Sequence, residues 1–173
     1  MNKTTKTIVA TTVAFGTLFG VGTASGVSAQ NNVAHAATTP YYTYHGYAGN
    51  DASFLLNKQF IDGIKYNNVT FNGVKLAENQ GSETLTKYDQ DFSGVSKDQK
   101  KANAVGFKVK SKLTVQQLKT AYGSGLSEMQ TSEKANDIYV YRPSQDGEAI
   151  MFQTDGNNNI ERVSIGYGLG AGG

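Results

Sequence analysis

The stretch Val69-Thr70-Phe71-Asn72-Gly73-Val74-Lys75-Leu76 decides the fold class. Asn-Gly supplies the two residues most tolerant of positive φ, as the centre of a type I′ turn requires, and β-prone triplets flank it on both sides. The reading is a β-hairpin, so part of the chain is antiparallel sheet. Upstream, Phe54, Leu55, Leu56, Phe60, Ile61 and Ile64 recur at spacings of three and four between Ala52 and Lys65. That spacing predicts one helix with a wide buried stripe, capped at its start by Asn50 or Asp51. Before it, residues 41–47 hold the four tyrosines Tyr41, Tyr42, Tyr44 and Tyr47. In an extended segment Tyr42 and Tyr44 would share one face, with Tyr41 and Tyr47 on the other.

Downstream, Leu85 to Phe92 reads as a strand of mixed polarity and Ser93 to Asn103 as a polar, lysine-bearing loop. Val105-Gly106-Phe107-Lys108-Val109-Lys110 then alternates, which sends Val105, Phe107 and Val109 to the core and Lys108 and Lys110 together to the opposite face. A second helix follows: Thr114 and Gln117 have capping-box spacing, Leu113 can staple onto Leu118, and Val115, Leu118 and Tyr122 form the buried stripe. Gly123 is placed to end it. Ile138 to Arg142, Ala149 to Thr154 and Ile160 to Tyr167 read as three strands joined by turns short enough for an antiparallel meander. The expected class is α+β: one antiparallel sheet with two helices packed on one face, in a small single domain.

Residues 1–36 read as a secretory signal. Lys3 and Lys6 form a positive start, Ile8 to Val21 is an apolar run of 14 residues, and Ala34-His35-Ala36 matches the small-residue rule for cleavage between Ala36 and Ala37. Val27-Ser28-Ala29 is a second candidate site. The apolar run is short of the roughly 20 residues needed to span a bilayer, and no transmembrane anchor is expected after processing. The mature chain is then 37–173, with 37–167 as the domain and the glycine-rich 168–173 as a flexible tail.

The chain has no cysteine, which excludes disulfides, thiolate metal sites and a cysteine nucleophile. After processing His45 is the sole histidine, so a multi-histidine metal centre is excluded, and no H-E-x-x-H, G-x-S-x-G or Walker pattern occurs. No catalytic residue and no cofactor is assigned, and an enzyme is the least favoured class. Asp155-Gly156-Asn157-Asn158-Asn159 has some calcium-loop character but lacks the terminal bidentate glutamate, and a turn between strands explains it. Asp89 and Asp91 read as surface charge. No metal site is expected.

Charge is informative through its distribution. The mature chain balances 12 lysines and 2 arginines against 14 acids. Within residues 97–119, however, Lys97, Lys100, Lys101, Lys108, Lys110, Lys112 and Lys119 face the single acid Asp98, a local charge of +6.

The chain resembles the immunodominant staphylococcal antigen B family. The resemblance is densest over Thr39 to Leu76, TPYYTYHGYAGNDASFLLNKQFIDGIKYNNVTFNGVKL, and recurs over Lys87 to Ser96 and Lys119 to Gly123. It implies a secreted or cell-surface-associated protein that binds extracellular DNA or RNA without marked sequence preference and is linked to virulence and host immune recognition. It brings no binding residues with it. The balanced mature charge departs from the basic mature chain that the resemblance implies.

Two features of the residues themselves fit such a partner. The seven lysines could neutralise phosphates, the sequence-independent part of nucleic-acid affinity, although they also describe a solvated strand face and loop. Tyr41, Tyr42 and Tyr44 could offer stacking platforms for unpaired bases, although the same alternation suits a half-buried edge strand. The competing class is a secreted interaction module that engages a host or cell-wall protein through a sheet edge or the tyrosine face.

Overall fold

The computed structural model describes residues 38–129 and 137–169. The signal segment, the cleavage residues Ala36 and Ala37, and the last four residues of the tail lie outside the described residues. The elements are β1 (Tyr42–Tyr44), a 3-10 segment (Ala52–Leu56), α1 (Lys58–Lys65), β2 (Val69–Phe71), β3 (Val74–Leu76), β4 (Glu83–Lys87), β5 (Gln90–Val95), β6 (Lys101–Ala102), β7 (Ala104–Lys108), α2 (Val115–Tyr122), β8 (Leu126–Met129), β9 (Ile138–Tyr141), β10 (Ala149–Thr154) and β11 (Ile160–Gly166). The α+β class holds, with two helices and mostly antiparallel strands in one small domain.

The hairpin forms as expected. Phe71 pairs with Val74 across a two-residue turn in which Asn72 has φ +48° and Gly73 φ +82°. Nothing lies within 4 Å of a Cβ added at Gly73, so a substitution there is penalised by backbone conformation alone. Gly73→Val should destabilise the domain by about 1–3 kcal/mol, because a β-branched side chain resists positive φ. A shifted midpoint in urea with an unchanged slope would show it; an unchanged midpoint would mean that the turn tolerates any residue.

The sheet expected to be single is two sheets. Seven strands in the order β4-β5-β7-β11-β10-β9-β8 make an antiparallel sheet, and β1-β2-β3-β6 make a smaller one in which the β1–β2 and β3–β6 pairings are parallel. One row of the large sheet, Leu85, Phe92, Val105, Ile165, Ile150, Tyr141 and Leu126, takes one inward side chain from each strand. The next row on the other face, Thr86, Asp91, Gly106, Ser164, Met151, Val140 and Ser127, is small or polar except for Met151 and Val140. Alternation along the strands thus gives the sheet one apolar and one largely polar face.

Phe54 joins the layers. Its ring centroid lies 4.4 Å from Tyr44, 6.0 Å from Phe71 and 6.1 Å from Phe107, so the 3-10 segment packs against both sheets at once. The Tyr122 hydroxyl donates to the Leu55 carbonyl at 2.6 Å and ties α2 to the same segment. Burial pushes that hydroxyl's pKa well up.

Several local expectations change. The helix expected from Ala52 to Lys65 is broken at Asn57, which sits in extended conformation and accepts from Gln59 N, while Asp51 caps the first piece by accepting from Ser53 N. Asparagine side chains compete for backbone donors in this way, and a three-and-four spacing suits both helix types. The strand expected from Leu85 to Phe92 is a second hairpin, β4 and β5, turning at Tyr88-Asp89. The loop expected over 93–103 contains the end of β5 and the short β6, whose Ala102 is buried beside β3. The capping box at Thr114 and Gln117 is present, and Gly123, at φ +56°, ends α2 as expected. Strand β8, which follows it, has no clear alternation in sequence.

Candidate nucleic-acid interface

One end of the domain brings together four chain segments, and three polar side chains hold them. Asn72, in the first hairpin turn, accepts from Gly46 N at 2.8 Å and donates to the Gly46 carbonyl at 3.0 Å and to Gln90 Oε1 at 2.6 Å. Gln90 is fully buried and donates through Nε2 to the Gly46 carbonyl at 2.7 Å and to Asp89 Oδ1 at 2.9 Å. The Asp89 carboxylate accepts from Ala48 N at 2.9 Å and from Gly49 N at 2.8 Å. A part-buried network of this kind, anchored on the buried Gln90, fixes the positions of the loops it joins.

Gly49 is the hinge pin of the arrangement. A Cβ there would collide with the Lys108 carbonyl oxygen and press on Asp89 Oδ2, so only glycine lets the tyrosine segment approach the end of β7 so closely. The Gly49 carbonyl accepts from Lys110 N at 2.8 Å and from Ser111 N at 3.2 Å. The chain leaving β7 is thereby held against the loop that carries Tyr47, and the Tyr88-Asp89 turn is held to the same loop by the Asp89 carboxylate.

The seven lysines are all exposed, and none makes an ion pair among the described residues. They fall into three places. Lys108, Lys110 and Lys112 leave the end of β7 at the site just described, and Arg162 stands directly across from Lys108 on β11. Lys97 and Lys100 lie in the turn after β5 and Lys101 opens β6, where it pairs with Lys75 of β3. Lys108 lies four residues beyond Ala104, roughly 13 Å along β7, so the second group sits at the opposite end of the strand. Asp98 shares that turn, where it accepts from the Ser96 hydroxyl and from Lys100 N; these bonds hold its carboxyl below the usual range. Lys119 stands apart, with Nζ 5.4 Å from the centre of the Tyr139 ring on β9, three strands away from β7.

The tyrosines also separate. β1 lies at the edge of the small sheet, and its alternation buries Tyr42 and Tyr44 at 4% and 2% exposure, so the expected stacking role of these two is ruled out by burial. Desolvation raises both hydroxyl pKa values, that of Tyr44 to about 12. Tyr41 is 43% exposed and remains available. Sequence reading missed Tyr47 and Tyr88 as partners: they are exposed and meet edge to face with ring centroids 5.0 Å apart. It also took Asp89 for surface charge, whereas that carboxylate braces the whole end. Nothing in sequence marks Tyr88 as a turn residue, since Tyr-Asp is not a turn dipeptide.

The polar face of the large sheet has a groove of about 450 Å³ lined by Thr86, Ser93, Gly106, Arg162 and Ser164 among others. Asp155 spends its carboxylate closing its own turn onto Asn157 N and Asn159 N, and among the described residues no group of acids and histidines could hold a metal ion. No helix among the described residues is long and apolar enough to cross a membrane.

Fold and site together define the class: a small α+β domain that presents an aromatic and cationic end. The chain belongs to the immunodominant staphylococcal antigen B family, whose model matches residues 41–165. It is 42% identical over 169 residues, covering 96% of both chains, to the immunodominant staphylococcal antigen B of Staphylococcus aureus strains USA300, NCTC 8325 / PS 47 and N315. No solved structure matches the chain. The matched region contains every residue of the site built above.

Proposed function

We propose that this chain is a secreted or surface-exposed, non-enzymatic protein that binds extracellular DNA or RNA without sequence preference, through phosphate contacts from Lys108, Lys110 and Lys112 with Arg162 beside them. The observation that carries the reading is the convergence of these exposed cations, none of them in an ion pair among the described residues, on one braced end of a chain whose expected mature form is balanced overall. Phosphate neutralisation needs local density of positive charge and carries no base information, so binding of this kind is general across sequences. Each group has a carboxylate near it, Asp98 in the Lys97, Lys100 and Lys101 turn and Asp89 at the Lys108 end, and the Lys108 end is favoured because Arg162 adds a cation directly across from Lys108.

Titration of the protein against unrelated duplex oligonucleotides at several salt concentrations tests this. With roughly three to five phosphates neutralised, log K should fall with log salt at a slope of about −3 to −4.5, alike for every sequence. A slope near zero, or affinity for one sequence alone, would overturn the proposal.

A further inference from the structure

The Tyr47–Tyr88 pair is not explained by packing. Both rings lie on the surface, 40% and 58% exposed, and they meet at 84° with centroids 5.0 Å apart, so one ring presents its edge to the face of the other. Together they form an open right-angled corner. Tyr88 occupies the corner at a conformational cost: its φ is +58°, a region that asparagine or glycine enters readily and a bulky aromatic residue enters rarely. Strained backbone at an exposed aromatic residue is evidence for a use of that residue outside the fold itself.

The corner is also rigid. The Asp89 carboxylate, one residue after Tyr88, holds Ala48 N and Gly49 N, just after Tyr47, and the Tyr47 carbonyl accepts from the Tyr44 hydroxyl at 3.0 Å. The two rings are therefore mounted on loops cross-braced by one side chain. Two lysines flank it along the chain: the Lys110 backbone N–H donates to the carbonyl of Gly49, two residues after Tyr47, and Lys87, next to Tyr88, donates through Nζ to the Asn72 carbonyl at 3.3 Å.

We infer that Tyr47 and Tyr88 form a stacking site for an unpaired nucleobase, so that this end of the protein prefers single-stranded to duplex nucleic acid. The inference rests on the nucleic-acid reading above and adds the strand preference to it. A planar base fits the face of one ring while its edge meets the other, and neighbouring lysines can hold the flanking phosphates. In a duplex the base faces are covered by their neighbours, and the corner would have nothing to take.

The test uses the purified full chain and three labelled 20-nucleotide probes in fluorescence anisotropy: oligo-dT, an abasic strand with the same phosphates, and a mixed-sequence duplex. Tyr88→Asn suits the positive φ and removes only the ring, so its melting temperature should match or exceed the parent's; Tyr47→Ser removes the other ring. The expected result is tighter binding of oligo-dT than of the abasic strand by the parent, and a loss of roughly 5- to 100-fold for oligo-dT in each variant with the abasic strand and duplex unchanged. Equal parent affinity for oligo-dT and the abasic strand, or an unchanged oligo-dT affinity in both variants, would overturn the stacking site while leaving phosphate binding intact. Binding of no probe by the parent would remove the nucleic-acid reading and the stacking site with it.

Discussion

Replacing Glu148 by Gln is expected to stabilise the protein by about 3–5 kcal/mol at pH 8 and above and to change little near pH 4. Glu148 is fully buried, and neither carboxylate oxygen has a hydrogen-bond partner of good geometry among the described residues. Burial pushes its pKa from 4.5 up to about 8; the Val69 backbone and the Lys75 charge favour the ionised form but do not offset the loss of water. Between pH 4.5 and 8 the folded chain keeps a proton on this carboxyl that the unfolded chain has released, so stability falls with rising pH across that window, by about 1.4 kcal/mol per unit. Above pH 8 both states have lost it and the penalty levels off. Glutamine keeps the shape without the titration, so the two proteins should match at low pH and separate through neutrality. Urea melts at pH 4, 6, 8 and 9 measure the gap. A constant difference across that range would show that Glu148 has an ordinary acidity and that water or a partner reaches it. Against a domain stability of about 5–15 kcal/mol the expected change is large.

Glu148 also shows what a sequence reading can and cannot see. A lone glutamate after Asp-Gly looks like turn chemistry, and its burial follows from the neighbouring loop: Glu148 N donates to Asn67 Oδ1 at 2.7 Å, which draws the residue under the segment between α1 and β2. Contacts 81 residues apart leave no local signature. What was legible was local. The Asn72-Gly73 turn, the capping box at Thr114 and Gln117, the alternation through Val105 to Lys108 and the final meander each depend on residues within about ten positions of one another. The small sheet was hidden because its parallel pairings join Tyr42–Tyr44 to Val69–Phe71 and Lys75-Leu76 to Lys101-Ala102, and two-to-three-residue strands carry no period.

The site was half legible for the same reason. Clustered lysines are visible as composition, and the shared end of Lys108, Lys110 and Lys112 follows from one strand and its exit. Their separation from Lys97, Lys100 and Lys101 needed the direction of β7. The tyrosine assignment failed on partners: alternation correctly separated Tyr42 and Tyr44 from Tyr41 and Tyr47, but not which face was covered. Once β1 lies against β2 and Phe54, the inward pair belongs to the core. Tyr88 was out of reach, because a tight turn at Tyr-Asp is held by Asp89 reaching 40 residues back to Gly49.

That separation gives the proposed function its sharpest test. Lys108→Glu with Lys110→Glu should weaken duplex binding at least tenfold at low salt and flatten the salt slope by about 1.8, two phosphates at roughly 0.9 each. Lys100→Glu with Lys101→Glu should leave the slope within about half a unit of the parent's. Both double variants alter net charge equally, so a general repulsion of polyanions would affect them alike, and only a localised site separates them. Neither pair threatens the fold. All four side chains are exposed, the bonds that Lys110 N makes to Gly49 and Lys100 N to Asp98 come from the backbone, and Glu at 108 would face Arg162 as an opposite-charge pair across the strands. If the Lys100 and Lys101 pair flattens the slope and the Lys108 and Lys110 pair does not, phosphates are held at the other end of β7, and the corner formed by Tyr47 and Tyr88 loses the cations on which its use by a nucleic acid depends.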